Sequence, residues 1–207
     1  MSLILLEGMP GAGKSTVLNT LKRYHDITLM HEFQFKREVI TKEYGIFKDN
    51  NVIECDNLKL KELEDKLEDF LLKSRFQDSL KEFEDLKIEI AKERIKEMEK
   101  FNGIVVRESF FGGLIDKCSE KFLKELTKLL TYVTTVFFIT ADDKTLEERQ
   151  KKRVLERNGK YDDKTNKKRN ELFLKQFYEV TERKVKLVYL NAKNSPEEIA
   201  NEIIKSL

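Results

Sequence analysis

The chain contains five short apolar segments, separated by longer stretches in which polar and apolar residues mix. The five segments are Leu3–Leu6, Ile27–Met30, Ile104–Val106, Val133–Ile139 and Val185–Leu190. Short continuous apolar runs are typical of strands that are buried on both faces of a sheet. Because stretches with helical periodicity lie between them, the pattern predicts an α/β fold with a five-stranded parallel sheet and helices on both faces.

Two amphipathic helices are predicted between the second and third strands. Residues Leu58–Leu72 and Asp78–Lys100 carry apolar side chains at helical spacing, and their other positions are strongly charged. We favour helices that pack on the core over a coiled-coil partner surface, because the heptads do not persist. The segment 41–57, which contains Asn50-Asn51, is predicted to be a loop or short irregular structure.

Two more helices are predicted in the C-terminal part of the chain. One follows the polar segment 158–164 and ends near Arg183. The last runs from Pro196 to Lys205, with Ser195 at its N-cap and Glu198 three residues further on. This combination of an N-cap, a proline and a glutamate is a strong signal for the start of a helix.

Residues 8–15 connect the first strand to the first helix and have the sequence Gly-Met-Pro-Gly-Ala-Gly-Lys-Ser. They match G-x-x-x-x-G-K-[ST], the phosphate-binding P-loop, in which N–H groups and a helix N-terminus surround a polyphosphate. Lys14 is expected to reach the β- and γ-phosphates, and the Ser15 hydroxyl to ligate Mg²⁺. The predicted nucleotide-binding residues of this segment are Gly8, Met9, Pro10, Gly11, Ala12, Gly13, Lys14, Ser15 and Thr16.

The length of the chain predicts a single domain, and its charge balance bears on the kind of partner. The 207 residues suit one domain spanning 1–207, and 40 basic residues nearly balance 38 acidic ones, for a net charge of +2. This balance does not demand a nucleic acid or a membrane as partner. Cys55 and Cys118 form no C-x-x-C pair, so we expect reduced thiols in a cytoplasmic protein. The first apolar run ends at Glu7, so neither a signal peptide nor a membrane span is predicted.

A second group of candidates, Arg107-Glu108-Ser109, follows the third strand. In open α/β sheets, ligands bind beyond the carboxyl ends of the strands. Glu108 is therefore a candidate to hold Mg²⁺ through water or to accept a proton from an attacking hydroxyl, and Arg107 a candidate to bind substrate. The alternative is a surface salt bridge between these two residues. Phe110 either lines an acceptor pocket or packs as a structural residue.

A strongly basic helix is predicted from Glu147 to Arg157. Arg149, Arg153 and Arg157 recur at every fourth position and therefore fall along one helix face. Arginines in this arrangement can stabilise the charge that accumulates during phosphoryl transfer, and Arg149 can instead stack on an adenine ring. The alternative is a solvated basic helix, for which lysine would serve equally well.

With these motifs the chain resembles the P-loop nucleoside and nucleotide kinases, most closely thymidylate kinase and next the deoxynucleoside kinases. Leu5–Thr16 looks like the family's opening E-G-x-x-G-x-G-K-S-T, and Arg149-x-x-x-Arg153 is similar to the R-x-x-x-R at the entry to its mobile lid. The family usually has Asp-Arg or Glu-Arg-Ser after the third strand, whereas Arg107-Glu108 has the swapped order. Either the local register is shifted, or one of the two groups has lost its role.

The resemblance implies a three-layer P-loop fold with a mobile lid at residues 150–166 and an acceptor-side helical region at residues 41–101. It implies ATP- and Mg²⁺-dependent transfer of the γ-phosphoryl group to a nucleoside monophosphate, thymidylate-like, or to a nucleoside. The partner is then a small-molecule acceptor, and a homodimer is left open. The implied catalytic residues are Lys14, Glu108, Arg149, Arg153 and Arg157.

The resemblance also implies residues that contact the nucleotide donor and residues that contact the acceptor. Asn191 and Ala192 look like the family's adenine-side loop. Arg75 resembles an acceptor-contacting arginine, and Glu32 occupies the place of a Glu-Pro motif, although no proline follows it.

Three alternatives to this kinase stay open. The first is a P-loop kinase of another small metabolite, and the second is a degenerate kinase that binds ATP without transferring phosphate, motivated by Arg107-Glu108. The third is a switch or assembly NTPase. The guanine-reading N-K-x-D of switch GTPases is absent, and Val136–Ile139 is not followed directly by the Asp that assembly ATPases usually carry.

Overall fold

The computed structural model describes residues 2–24, 26–30, 46–49, 51–53, 56–72, 80–108, 119–155, 171–172, 174–175, 177–178 and 185–207. The strands are β1 Ser2–Gly8, β2 Ile27–Met30, β3 Ile46–Lys48, β4 Asn51–Ile53, β5 Ile104–Glu108, β6 Val133–Thr140 and β7 Lys186–Asn191. The helices are α1 Lys14–Leu21, α2 Leu58–Leu72, α3 Leu80–Glu99, α4 Glu120–Leu129, α5 Asp143–Leu155 and α6 Pro196–Ser206, and a 3₁₀ turn at Leu130–Tyr132 precedes β6.

The described strands form one sheet in the order β4-β3-β2-β5-β1-β6-β7. β2, β5, β1, β6 and β7 run parallel, which confirms the predicted five-stranded parallel sheet. β1 lies between β5 and β6, and the side chains of Leu3–Leu6 are at most 1% exposed. Leu6 is paired with Glu108, so the carboxyl ends of β1 and β5 lie side by side.

The two short strands β3 and β4 correct the prediction of a loop at 41–57. They form an antiparallel hairpin that extends the sheet beyond β2. Phe47 pairs with Leu29 of β2 and is 3% exposed, and Lys22 Nζ lies 3.5 Å from the centre of its ring. Strands of three residues are too short to show a period, so contact with β2 and with Lys22, which follows α1, decides this conformation rather than local sequence.

Helices α2 and α3 confirm the amphipathic helices predicted from the pattern, and they pack against each other. Their interface also contains a buried ion pair that the apolar periodicity does not reveal. Arg94 donates to Glu64 Oε1 from Nε at 3.1 Å and from Nη2 at 2.8 Å. Both side chains are buried, so each charge depends on the other helix for its partner.

Serine side chains cap the starts of α6 and α4. The predicted capping box of α6 is present: Glu198 N donates to Ser195 Oγ at 3.2 Å, and Ser195 N donates to Glu198 Oε2 at 2.7 Å. At α4, Ser119 accepts from Phe122 N at 3.3 Å and donates to Glu84 Oε2 of α3 at 2.7 Å. α6 packs on α1, and α4 packs on α3.

The helix predicted to end near Arg183 is described in part, and residues 171–172, 174–175 and 177–178 are helical. The ring of Phe177 lies 4.5 Å from that of Phe138 on β6, centre to centre. Among the described helices, none combines the length and the apolar character that crossing a membrane requires.

Candidate functional site

The P-loop connects the end of β1 to the start of α1, as the sequence predicts. Gly8 closes the strand with φ at 151°, and a Cβ atom there would lie 2.7 Å from the Ile139 carbonyl oxygen of β6. Gly8 therefore cannot carry a side chain without moving β6. Met9 to Gly13 form the loop, in which Ala12 N donates to Met9 O at 3.0 Å, and Lys14, Ser15 and Thr16 begin α1.

The charges around the loop favour an anion. The first turn of α1 has no acidic residue to offset the positive end of the helix dipole. Lys14 Nζ donates to the carbonyl oxygens of Gly8 at 2.8 Å and Met9 at 3.2 Å, so its ammonium group lies at the loop. Helix N-terminal amides and an ammonium group beside one glycine-rich turn suit phosphate oxygens.

The carboxylate of Glu108 meets the P-loop serine. Ser15 Oγ donates to Glu108 Oε1 at 2.5 Å, although the two residues are 93 positions apart in the sequence. Glu108 is 5% exposed at the carboxyl end of β5, next to the end of β1. A hydroxyl and a carboxylate that converge in this way are oxygen ligands of the kind that Mg²⁺ binds together with water and phosphate, so the residues fit that ion.

The swapped order of Arg107 and Glu108 has a simple geometric consequence. Successive side chains of a strand point to opposite faces of the sheet, so only one of the two can face α1. That residue is Glu108, whereas Arg107 is 0% exposed between Leu5 of β1 and Met30 of β2. Glu108 therefore lies beside Ser15 although the order of the acid and the arginine is swapped. The predicted contact of Arg107 with substrate stays a prediction.

Arg149 on α5 joins the P-loop to the loop after β7. Its Nη1 donates to Gly11 O at 3.3 Å and Ala12 O at 3.5 Å, and its Nη2 donates to Ala192 O at 3.5 Å. Ala192 is itself held by a hydrogen bond from its N–H to Thr140 O at 2.7 Å, and Asn191 ends β7 beside it. The structure thus brings together the P-loop, Arg149 and the predicted adenine-side pair.

Gln150, the next residue of α5, was not predicted to belong to the site. Its Nε2 donates to Pro10 O at 2.8 Å, and the residue is 7% exposed. Leu146, one helical turn earlier, is 6% exposed and lies on the same helix face. Four-residue spacing from a buried leucine is the signal that points to Gln150 as an inward-facing residue.

The start of α5 is fixed by Asp142. Thr145 donates to its carboxylate from the backbone N–H at 2.9 Å and from Oγ1 at 3.0 Å. These hydrogen bonds, with the ion pair to Lys193 at 3.4 Å, lower the pKa of Asp142 to about 2. Because Lys193 follows Ala192, this cap also ties α5 to the loop after β7.

Several predicted site residues are not covered by these observations. Glu32, Arg75, Phe110 and Arg157 lie outside the described residues. Arg153 belongs to α5, but its side chain is likewise outside the description. Within the described part of the chain, no group of three or more His, Cys, Asp or Glu side chains is arranged to hold a metal ion.

A strand, a glycine-rich loop and a helix at the carboxyl edge of a parallel sheet define the P-loop nucleotide-binding fold. The chain belongs to the AAA domain family, whose model matches residues 4–174. No curated protein matches the chain in sequence.

Solved structures with the same fold include kinases of nucleosides and nucleotides. Thymidylate kinase from Ehrlichia chaffeensis is 18% identical, with 99% of this chain and 97% of that chain covered and a TM-score of 0.50. Deoxyadenosine kinase from M. mycoides with bound dATP is 12% identical, with 99% and 98% covered and a TM-score of 0.52. YorR protein from Bacillus subtilis, in complex with phosphorylated GDP, is 16% identical, with 99% and 95% covered and a TM-score of 0.51. The P-loop kinase fold expected from the resemblance is thus confirmed.

Proposed function

We propose that the chain is an ATP- and Mg²⁺-dependent phosphotransferase that moves the γ-phosphoryl group to a nucleoside monophosphate, thymidylate-like, or to a nucleoside. One observation carries this proposal. The Ser15 hydroxyl meets the Glu108 carboxylate, and the ammonium group of Lys14 lies at the same P-loop, at the carboxyl edge of the sheet. Phosphoryl transfer needs a positively charged side chain, oxygen ligands for Mg²⁺ and backbone N–H donors, all close to the phosphate group that is transferred.

The donor side follows from the described contacts. The backbone N–H groups of the loop bind the phosphates, apart from Pro10, which has none, and Ala12, whose N–H donates to Met9 O. Lys14 exchanges its bonds to Gly8 and Met9 for phosphate oxygens. Ser15 and Glu108 would hold Mg²⁺, which when bound would neutralise the charge of the β- and γ-phosphates. Glu108 is also the group that we propose accepts a proton from the acceptor hydroxyl.

The arginines of α5 complete the donor side. Arg149 is exposed, and its three hydrogen bonds are long, so exchanging them for bonds to a nucleotide costs little. Together with Arg153 and Arg157 it stabilises the charge on the transferred group. The proposed lid, residues 150–166, excludes water that would otherwise act as acceptor. Asn191 and Ala192 lie on the adenine side.

The acceptor site is proposed to contain Glu32, Arg75, Arg107 and Phe110. For Arg107, contact with an acceptor requires the side chains around it to move, because the residue is 0% exposed. The thymidylate kinase and deoxyadenosine kinase of the same fold support a nucleotide or nucleoside as the acceptor class.

The experiment is release of ADP from ATP, measured with a panel of nucleosides and nucleoside monophosphates. At least one acceptor should stimulate ADP release, and Lys14→Ala should abolish the stimulation. Lys124→Ala, on the exposed face of α4, is the matched control and should leave the rate unchanged. A panel without any stimulating acceptor would remove the nucleotide kinase from consideration.

The burial of Arg107, which is 0% exposed, favours a second candidate, a P-loop protein that binds ATP without transferring phosphate. Tight ATP binding without turnover would support it, provided that the panel also includes other small hydroxyl-bearing metabolites. Turnover with one of those metabolites would instead support a kinase with a different acceptor.

A further inference from the structure

We propose that Gln150 is a positioning residue that sets the conformation of the phosphate-binding loop. Gln150 Nε2 donates to Pro10 O at 2.8 Å, and the residue is 7% exposed. This inference rests on the proposed function only in assuming that the loop binds a nucleotide. It does not depend on which acceptor is phosphorylated, or on whether one is.

The two neighbouring residues of α5 hold the loop in different ways. Arg149 is exposed and donates to Gly11 O and Ala12 O at 3.3 and 3.5 Å, near the limit of a hydrogen bond. Gln150 is buried, and its bond has a normal length. Arg149 is therefore free to turn toward a ligand, whereas Gln150 stays on the loop.

The bond from Gln150 determines where an amide of the loop points. In a planar trans peptide the C=O and the following N–H point in opposite directions. Holding Pro10 O toward α5 therefore directs the N–H of Gly11 away from α5. A phosphate-binding loop needs its N–H groups turned inward and its carbonyl oxygens turned outward, because an inward carbonyl oxygen repels phosphate.

Gly11 allows α5 to come close enough for this bond. A Cβ atom at Gly11 would lie 3.4 Å from Arg149 Cβ and 3.5 Å from Gln150 Cγ, and φ of Gly11 is 87°. The loop and the helix thus touch at the residue whose amide Gln150 directs. α5 ends at Leu155, so the first residues of the proposed lid, from position 150 on, belong to this helix.

The test uses two variants of nearly the same size, Gln150→Glu and Gln150→Met, with affinity for ATP and ADP in the presence of Mg²⁺ measured by calorimetry. Gln150→Glu places an acceptor against the Pro10 carbonyl, so its affinity should fall about tenfold at pH 8. Gln150→Met removes the donor and should lose about fivefold. Lys144→Met, exposed on the same helix and outside the proposed lid, is the matched control and should bind as the wild type does.

A pH series separates positioning from a merely structural role. A protonated carboxyl group can donate to Pro10 O again, so the ratio of wild-type to Gln150→Glu affinity should shrink between pH 8 and pH 5.5. The melting temperature of each variant is recorded alongside the affinity. We expect Gln150→Met to lose affinity while its melting temperature stays within a few degrees of the wild type.

The possible results bear differently on the role of Gln150 and on the proposed function. Wild-type affinity in Gln150→Glu at pH 8 would overturn the inference, as would a loss of affinity that no pH restores and that follows the melting temperature. A wild-type chain that binds ATP but phosphorylates no acceptor would end the proposed function and leave the role of Gln150 standing. A wild-type chain that does not bind ATP would overturn both.

Discussion

The ion pair between Glu64 and Arg94 provides a quantitative test of how α2 and α3 are held together. The two hydrogen bonds, at 3.1 and 2.8 Å, converge on one carboxylate oxygen. The side chain of Arg94 is 4% exposed and that of Glu64 is 10% exposed, so water cannot replace a lost partner. Removing one member leaves the other charge buried, which costs about 3–5 kcal/mol. Total stabilities are about 5–15 kcal/mol, so either single variant should be severely weakened.

Arg94→Met and Glu64→Leu should each lower the free energy of unfolding by this amount, and the melting temperature by roughly 6–20 °C for a chain of this size. The double variant removes both charges and fills the space with apolar atoms, so it should recover most of the loss. Urea denaturation followed by circular dichroism measures all three variants and completes a double-mutant cycle.

A matched control is the exposed pair of Lys128 and Glu125 on α4, whose side chains are 70% and 39% exposed. Lys128→Met should change stability by less than about 1 kcal/mol, because water solvates the remaining charge. If the double variant at Glu64 and Arg94 instead loses the sum of the two single losses, the charges are not coupled and the reasoning about burial is refuted.

Two further predictions concern charge at the candidate site. Glu108→Gln keeps an oxygen for the Ser15 hydroxyl but removes the negative charge. The chain should therefore fold normally and require about 10–100-fold more Mg²⁺ for ADP release. An unchanged Mg²⁺ titration would contradict a role of Glu108 in binding the metal. Hydrogen bonds from Thr145 lower the pKa of Asp142 from 3.8 to about 2, so the stabilisation is complete above about pH 4 and is lost as pH falls through about 2. The melting temperature of Asp142→Asn, a neutral cap, should therefore equal that of the wild type at the acid end and fall behind it between pH 2 and pH 4. A constant difference over that range would argue against the charged cap.

Elements with a strong local signal were predicted well. β1, β2, β5 and β6 are largely buried on both faces and are visible as apolar runs, whereas β7, at the edge of the sheet, is partly exposed. Helix α2 matches its predicted bounds, and the capping box of α6 is present. The hairpin of β3 and β4 was missed because each strand has three residues and depends on pairing with β2.

The buried polar residues of the site and of the core could not be predicted from apolar spacing. Apolar spacing shows which face of α5 or α3 turns inward, but not that Gln150 or Arg94 lies on that face as a hydrogen-bonding residue. Their partners, Pro10 and Glu64, are 140 and 30 positions away. Such pairs form only when two elements pack, so periodicity within one element cannot predict them.

The sequence by itself determined the P-loop, because β1, the glycine-rich turn and α1 are consecutive and their geometry depends on local backbone conformation. Tertiary structure alone decided which acid meets that loop. Leu6 lies opposite Glu108 in the register of β1 and β5, and alternation along β5 then puts Glu108, not Arg107, on the side of Ser15. Strand order and register bring together residues 93 positions apart, and no local property of either segment specifies that contact.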